Sequence, residues 1–397
     1  MTVFSPKDAA GVLEIVRWAA AEEEALELVG GGSRRALGRP VQTAHTLDLA
    51  ALSGIVAYEP EELVLTALPG TPMAEIGALL ASRGQQLAFE PPDWGPLLGG
   101  PAGRGTLGGT LATNLAGPRR LTAGAARDHF LGFAAVSGRG EAFKAGGKVV
   151  KNVTGYDLMK PMAGAFGTLA AFTEVTVKVL PAPECVRTLV VGGLDDAAAI
   201  RAMAAAMKSP HEVSAAAHLP AGVAAGGVTG PATALRLEGF EASVGPRAAA
   251  LARLLAPFGP VYALETDASR RLWAAVRDVE PFAAEPARTV WKLSVMPSEG
   301  SAVAARVAAQ VDARAFYDWA GGLVWLSVAG DGDGGAAVVR GALRDGHATM
   351  IRAPEPVRAA VPPFHPQAQP LAALSARVKA SFDPRGILNP GRMVAGR

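Results

Sequence analysis

The sequence predicts an α+β protein with a glycine-punctuated first half and a second half in which short strands alternate with Ala-rich helices. Three observations carry that expectation. Phe172 to Leu180 (FTEVTVKVL) alternates β-branched and polar residues, the period of a strand with one wet face. Pro181-Ala182-Pro183 then stops the strand and marks a boundary. Beyond it, strand and helix alternate at a spacing suited to a ferredoxin-like antiparallel sheet covered by helices on one face. The chain has 397 residues, 50% apolar and 19% charged, which excludes a disordered or fibrous chain because that much apolar surface must be buried.

In order along the chain, Ser5 is an N-cap, Pro6 fits the first helical position and Asp8 reaches back, so a helix runs to about Glu24. Leu26 to Val29, Gly54 to Tyr58 and Glu62 to Leu68 read as strands, and Pro72 to Arg83 as a helix ended by Gly84. Phe130 to Ser137 and Glu141 to Ala145 form a hairpin turned by Gly138-Arg139-Gly140. Tyr156 to Met162 is a short helix. After the boundary come strand Arg187 to Val191, helix Asp195 to Met207, strand Thr233 to Leu237, helix Gly245 to Leu255 and strand Val261 to Leu264. The pattern recurs as Trp291 to Val295, Ser301 to Gln310, Leu323 to Val328 and Ala336 to Arg344, without a clean sequence repeat. Leu371 to Phe382 is a terminal helix followed by the turn Asp383-Pro384-Arg385-Gly386.

The formal charge is only +2 and no basic block occurs, so the clustered cationic face that nucleic acid requires is missing. The lone Cys185 excludes an internal disulfide, an iron–sulfur cluster ligated by this chain and a multi-cysteine zinc site. The N-terminus lacks a basic and then apolar leader, and no apolar run is long enough to span a membrane. A cytoplasmic protein is expected, reaching a membrane surface only through partners.

Three segments hold the candidate chemistry. Gly30-Gly31-Gly32-Ser33-Arg34 follows a strand directly, and amides unshielded by Cβ atoms can turn toward a pyrophosphate. It has neither Rossmann nor Walker A spacing, and a tight hinge loop is the other reading. Gly105 to Gly117 offers Thr106, Thr110, Thr113 and Asn114 as neutral hydrogen-bonding groups among small residues, suited to a flat ligand or to a packing turn entering a helix. Lys144, Lys148, Lys151 and Lys160 crowd one stretch of a chain that otherwise prefers Arg, and they either meet phosphates or an acidic partner or form a solvated face.

The GGGS loop, GTLGGTLATN, KNVTGYDLMKPMAGAFGTLAAFTEVTVKVLP and FDPRGILNPGRM together resemble the flavin-binding family of the vanillyl-alcohol oxidase (PCMH) type. Within it they are similar to the FAD-binding subunits of bacterial glycolate oxidases. The resemblance covers essentially the whole chain. It implies a PCMH-type FAD-binding domain of two α+β subdomains over 1–183, a ferredoxin-like cap over 184–370, and a helix and tail over 371–397 that return to the flavin domain.

By that resemblance, Gly30, Gly31, Gly32 and Ser33 hold the FAD pyrophosphate with Arg34 or Arg35 nearby, and Pro69-Gly70 makes a short pre-helix contact. Thr106, Gly108, Gly109, Thr110, Thr113 and Asn114 lie beside the pyrophosphate and isoalloxazine. Gly155, Tyr156, Asp157, Gly164 and Gly167 close over the flavin, with Phe172 and Thr173 on its adenine half. Arg392 approaches the isoalloxazine or anchors the tail. FAD is expected to be non-covalent, because the loop has no His and Cys185 falls at the boundary.

The match departs from single-chain relatives that oxidise D-2-hydroxy acids with a paired-His metal site. None of His45, His129, His211, His218, His347 and His365 forms an H-x-H pair, Asp331-Gly332-Asp333-Gly334 lacks the histidine, and Phe166 stands where a carboxylate often occurs. No metal site is expected. His347 and His365 are the remaining general-base candidates, Arg34, Arg358 and Arg392 the carboxylate clamps, and His129 pairs with Asp128. The implied role is the FAD subunit of a glycolate oxidase complex, alongside a homologous FAD-containing subunit and an iron–sulfur subunit. The other readings are a self-sufficient 2-hydroxy-acid dehydrogenase and a non-catalytic assembly subunit.

Overall fold

A computed structural model describes residues 2–147, 155–329 and 332–396. Lys148, Lys151 and Asp331 lie outside the described residues. The first half starts with β1 (Thr2–Phe4), α1 (Ala9–Glu22), β2 (Leu26–Val29) and β3 (His45–Asp48), which make a parallel three-stranded sheet in the order β1-β3-β2. Val12, Val16 and Ala19 bury one face of α1 against it. The helix begins later than expected because Asp8, not Ser5, is the N-cap: its Oδ1 accepts from Gly11 N at 2.8 Å.

A second sheet follows from β4 (Ile55–Glu59) and β5 (Val64–Ala67), then α2 (Met73–Ala81), β6 (Gln85–Gln86), α3 (Leu107–Thr113), α4 (Arg120–Ala123), α5 (Ala126–His129), β7 (Phe130–Ser137), β8 (Ala142–Gly146), α6 (Met159–Met162) and β9 (Ala170–Lys178). Its order is β4-β5-β9-β7-β8, antiparallel throughout, and the expected hairpin is β7 and β8. The short helix covers only Met159–Met162, because Tyr156 is exposed and contributes no buried face. His129 donates from Nε2 to Ala123 O at 2.8 Å, while Asp128 pairs with Lys160 at 3.4 Å, so the expected His129–Asp128 pair is replaced by two separate contacts.

After β10 (Leu180–Pro181), which pairs with β6, the chain enters the large sheet. Its strands and helices are β11 (Cys185–Gly192), α7 (Asp196–Lys208), β12 (Ala215–Leu219), a small hairpin β13 (Ala224–Ala225) and β14 (Val228–Thr229), β15 (Ala232–Gly239), α8 (Glu241–Leu255), β16 (Val261–Leu264) and α9 (Thr266–Arg277). Then come β17 (Thr289–Ser294), α10 (Gly300–Ala308), β18 (Ala313–Asp318), β19 (Leu323–Val328), α11 (Ala336–Gly341), β20 (His347–Arg352), α12 (Glu355–Ala360) and α13 (Gln369–Phe382).

The sheet order β16-β11-β15-β12-β18-β19-β17-β20 contains a repeat invisible in the sequence. β11-α7-β12-β15-α8-β16 and β17-α10-β18-β19-α11-β20 are two ferredoxin-like βαββαβ units, abutting where His218 on β12 faces Tyr317 on β18. α7, α8, α10 and α11 cover one face through Met203, Leu251, Val307 and Val339. The other face is not left bare: α9 buries Leu272, Trp273 and Val276 on it, and Trp94, Leu97 and Leu115 of the first half complete that core.

Polar contacts fix the two halves together. Arg236 on β15 grips Glu90 through Nη1 and Nη2 at 2.7 and 3.0 Å, and Arg119 pairs with Glu238 while its own N–H donates to Glu90 at 2.7 Å. Burial pushes the Glu90 carboxyl up, but the Arg236 charge and its hydrogen bonds, then Arg119, outweigh this and hold it below the usual carboxylate range.

Removing Glu90 leaves Arg236 buried without its partner. Glu90→Gln should therefore lower the unfolding free energy by about 3 kcal/mol, measured by denaturant titration. The ion pair's contribution is present above the ordinary carboxylate value and is lost as pH falls through the lowered one. The variant should accordingly show a shallower acid destabilisation than the parent.

Candidate functional site

The loop from Gly30 to Arg35 and the segment from Thr106 to Thr113 face each other across a cleft of about 770 Å³ counted to its open mouth. Glycine is needed there for close approach. A Cβ at Gly30 would stand 2.7 Å from Thr106 Oγ1, and one at Gly31 only 1.8 Å from Arg104 O. One wall is α3, capped by Thr106, whose Oγ1 accepts from Gly109 N at 3.3 Å. Gly108 lets α3 meet Pro69, since its Cβ would lie 2.6 Å from the Pro69 Cβ.

Phe166, Gly167, Ala170 and Phe172 form another wall. Asn389, from the tail, closes the site: its N donates to Leu26 O at 2.9 Å, its Oδ1 accepts from Leu28 N at 2.8 Å, and its Nδ2 donates to Phe166 O at 2.7 Å.

The cleft suits an extended anion. Among the described residues, no protein acceptor takes the N–H groups of Gly30, Gly31, Gly32, Ser33 or Arg34, which line its mouth. Two buried guanidiniums, Arg34 and Arg392, line it as well, and among the described residues neither has a carboxylate at ion-pair distance. Burial, opposed by Asp93, brings Arg34 down to about 10, and burial brings Arg392 to about 10, so both stay charged at neutral pH. The Nε of each has no partner. These residues fit a dinucleotide pyrophosphate.

The arginines do not act as free clamps. Arg34 donates to Thr110 Oγ1 and Pro92 O, both at 3.2 Å, Arg392 to Arg34 O and Arg35 O at 3.1 Å, and Arg358 to Gly38 O at 3.0 Å. They brace the loops around the cleft.

Of the residues singled out from the sequence, Gly30, Gly31, Gly32, Ser33, Arg34, Pro69, Thr106, Gly108, Gly109, Thr113, Gly167, Phe172 and Arg392 come together as lining. Thr110 lies buried beneath as the acceptor for Arg34. Gly70 packs under Leu49 and Leu52, Thr173 is inside β9, and Asn114 ends α3 in a left-handed conformation beside Gly164. Gly155, Tyr156 and Asp157 are exposed and outside the lining. His347 and His365 stack edge-on to each other at 5.4 Å, also outside it. Asp333 caps α11, accepting from Gly335 N and Ala337 N at 2.9 and 2.8 Å. Among the described residues, no cluster of His, Cys, Asp and Glu could hold a metal.

Sequence reasoning did not single out Asn389 as a site residue. Its signal was the ending Asn389-Pro390-Gly391-Arg392, with Asn in the left-handed region at φ 43°.

Residues 2–146 match the family model of an FAD binding domain. The chain is 34% identical over 385 residues to the glycolate oxidase subunit GlcE of Escherichia coli (strain K12), covering 97% of each protein. It is 33% identical over 150 residues to the glycolate oxidase subunit GlcD of Bacillus subtilis (strain 168), covering 38% of this chain and 30% of that one. Among solved structures it is similar to p-cresol methylhydroxylase with substrate bound, with a TM-score of 0.71, 15% identity and coverage of 99% of this chain and 88% of that one. It is also similar to the 4-ethylphenol oxidase of Gulosibacter chungangensis, with a TM-score of 0.74 and 13% identity over the same shares. These two likenesses establish the PCMH-type α+β fold, and FAD is the cofactor the matched domain binds.

Gly31→Ala tests the cleft directly. The added Cβ collides with Arg104 O, so the two loops must separate. FAD retained per chain after gel filtration should fall at least about tenfold in affinity terms, with far-UV circular dichroism unchanged.

Proposed function

The chain belongs to the family of the glycolate oxidase subunit GlcE, and from that membership we propose that it is the FAD-binding subunit of a complex that oxidises a small 2-hydroxy acid, glycolate, to its 2-oxo acid. The observation that carries this is the end-to-end match at 34% identity, together with an anion-fitting cleft built by the residues common to the flavin motifs. Bound FAD supplies a two-electron acceptor: the alcohol carbon loses a hydride, the hydroxyl loses a proton, and a carbonyl forms.

The chain's own residues supply the setting. Amides 30–34 hold the pyrophosphate, the braced Arg34 and Arg392 keep the cleft positive, and Phe166 and Phe172 exclude water from the opposite wall. FAD is held without a covalent bond: among the described residues lining the cleft there is no His, Cys or Tyr to attach it. Electrons leave through a partner: Cys185 is the only cysteine and is buried, so a cluster has to reside on an iron–sulfur subunit. A homologous FAD-containing subunit completes the assembly. Among the described residues no helix is long and apolar enough to cross a membrane.

Purified chain should be yellow and should release its FAD on denaturing precipitation. Glycolate-dependent dye reduction should reach full rate only after co-expression with both partner subunits. A chain that alone matches the assembled complex would overturn the subunit reading.

A further inference from the structure

We propose that Lys292 and Arg120, set against the indole of Trp319, form a subsite for the carboxylate of a small hydroxy acid. This rests on the substrate class given under Proposed function. Lys292 stands on β17 on the face that also carries Val290, the face turned toward the first half of the chain. Its Nζ lies 5.1 Å from the centre of the Trp319 ring, and the Arg120 guanidinium carbon lies 5.0 Å from the same centre. Both side chains are partly buried.

Beyond the Trp319 ring, neither cation has a hydrogen-bond or ion-pair partner among the described residues. The neighbouring charges do not balance them. Arg119 is matched by Glu238 and Arg236 by Glu90, while the carboxylate that faces Lys292 is Asp318 and the one that faces Arg120 is Asp128, itself already paired with Arg127 and Lys160. Burial lifts the Asp318 carboxyl to about 7, so near neutrality it supplies only part of one negative charge. Burial, then the Arg120 charge, brings the Lys292 ammonium down to about 8. A carboxylate within reach of both cations lowers their mutual repulsion and offsets part of their charge.

The ring that both cations approach is held by the local chain. Trp319 and Ala320 sit at φ 50° and 56°, a left-handed conformation that neither residue favours. Asp318 Oδ1 accepts from Trp319 N at 2.7 Å, and Trp319 Nε1 donates to Gly117 O at 3.1 Å. Gly117 is on the segment that continues from α3, whose Thr113 lines the cleft. A guanidinium fork, a point-like ammonium and a flat apolar ring suit a planar carboxylate on a small body.

Titration calorimetry with glycolate and with oxalate, on the FAD-loaded chain in its complex at pH 7 and pH 9, tests the subsite. Lys292→Met and Arg120→Gln should each weaken binding at least about tenfold at pH 7. Lys292→Arg should restore it, which a merely structural role would not do. The groups facing Lys292 are Arg120 from α4 and Asp318 from β18, and those facing Arg120 also include Arg127 and Asp128 from α5. Lys292 loses its charge and Asp318 gains one as pH rises, so affinity should fall from pH 7 to pH 9, and fall less in Lys292→Arg. Unchanged affinity in Lys292→Met overturns the subsite, as does an absence of binding by a complex that still oxidises glycolate. A complex that binds glycolate at Lys292 but never oxidises it overturns the functional reading instead.

Discussion

Asn389 is the residue on which the cleft depends. One buried amide side chain and its own N–H join three segments that are remote in sequence: β2, which leads into the Gly30 loop; the Phe166 turn; and the tail itself. β2 is the edge of its sheet, so the outward N–H of Leu28 would otherwise face the protein without an acceptor. Asn389 supplies that acceptor and at the same time satisfies Phe166 O. Lys379 and Asp383 fasten the tail in turn, with Lys379 reaching Thr168 O and Leu388 O at 2.7 and 3.0 Å.

The cleft then follows from what can approach what. With β2 fixed, the Gly30-Gly31 loop meets Arg104 and Thr106 at distances only glycine permits, and α3 is pressed on Pro69 by Gly108. Because these glycines serve contact between loops, the amides that follow them are left pointing away from protein acceptors. The fit of the cleft mouth to an anion is thus a by-product of packing two backbones closely. The buried arginines add charge without adding mobility, since each is already bonded to the loops it stabilises.

Much of this was legible from the chain alone because local chemistry specified it. Glycine clusters at 30–32 and 105–109 marked the two loops, and alternation in FTEVTVKVL marked β9. Elements that depend on tertiary burial were not legible. β12 is AAAHL, with no β-branched residue, and is a strand because β15 and β18 pair with its two edges while the helix layer and the α9 side bury its two faces. α8 starts four residues before the expected Gly245, and carries Pro246 inside its second turn. The duplicated βαββαβ unit is a matter of strand order, which no residue pattern encodes. Asn389 joins positions 361 and 223 residues away, a span at which spacing carries no signal.

The same contrast separates two kinds of cation in this molecule. Arg34, Arg392 and Arg358 stand out in sequence beside glycine or proline motifs, yet their guanidiniums are bonded to backbone carbonyls and hold the frame. Lys292 and Arg120 stand in unremarkable segments, a strand interior and a four-residue helix, yet among the described residues the fold gives them the Trp319 ring and no hydrogen-bond or ion-pair partner. A cation that makes its bonds within the chain has little left to offer a ligand, whereas a partly buried cation without a hydrogen-bonded partner carries a desolvation cost that an incoming anion offsets. Motif density therefore located the cofactor frame, while the charge left unbalanced after folding locates the place where recognition of a second anion is still to be completed.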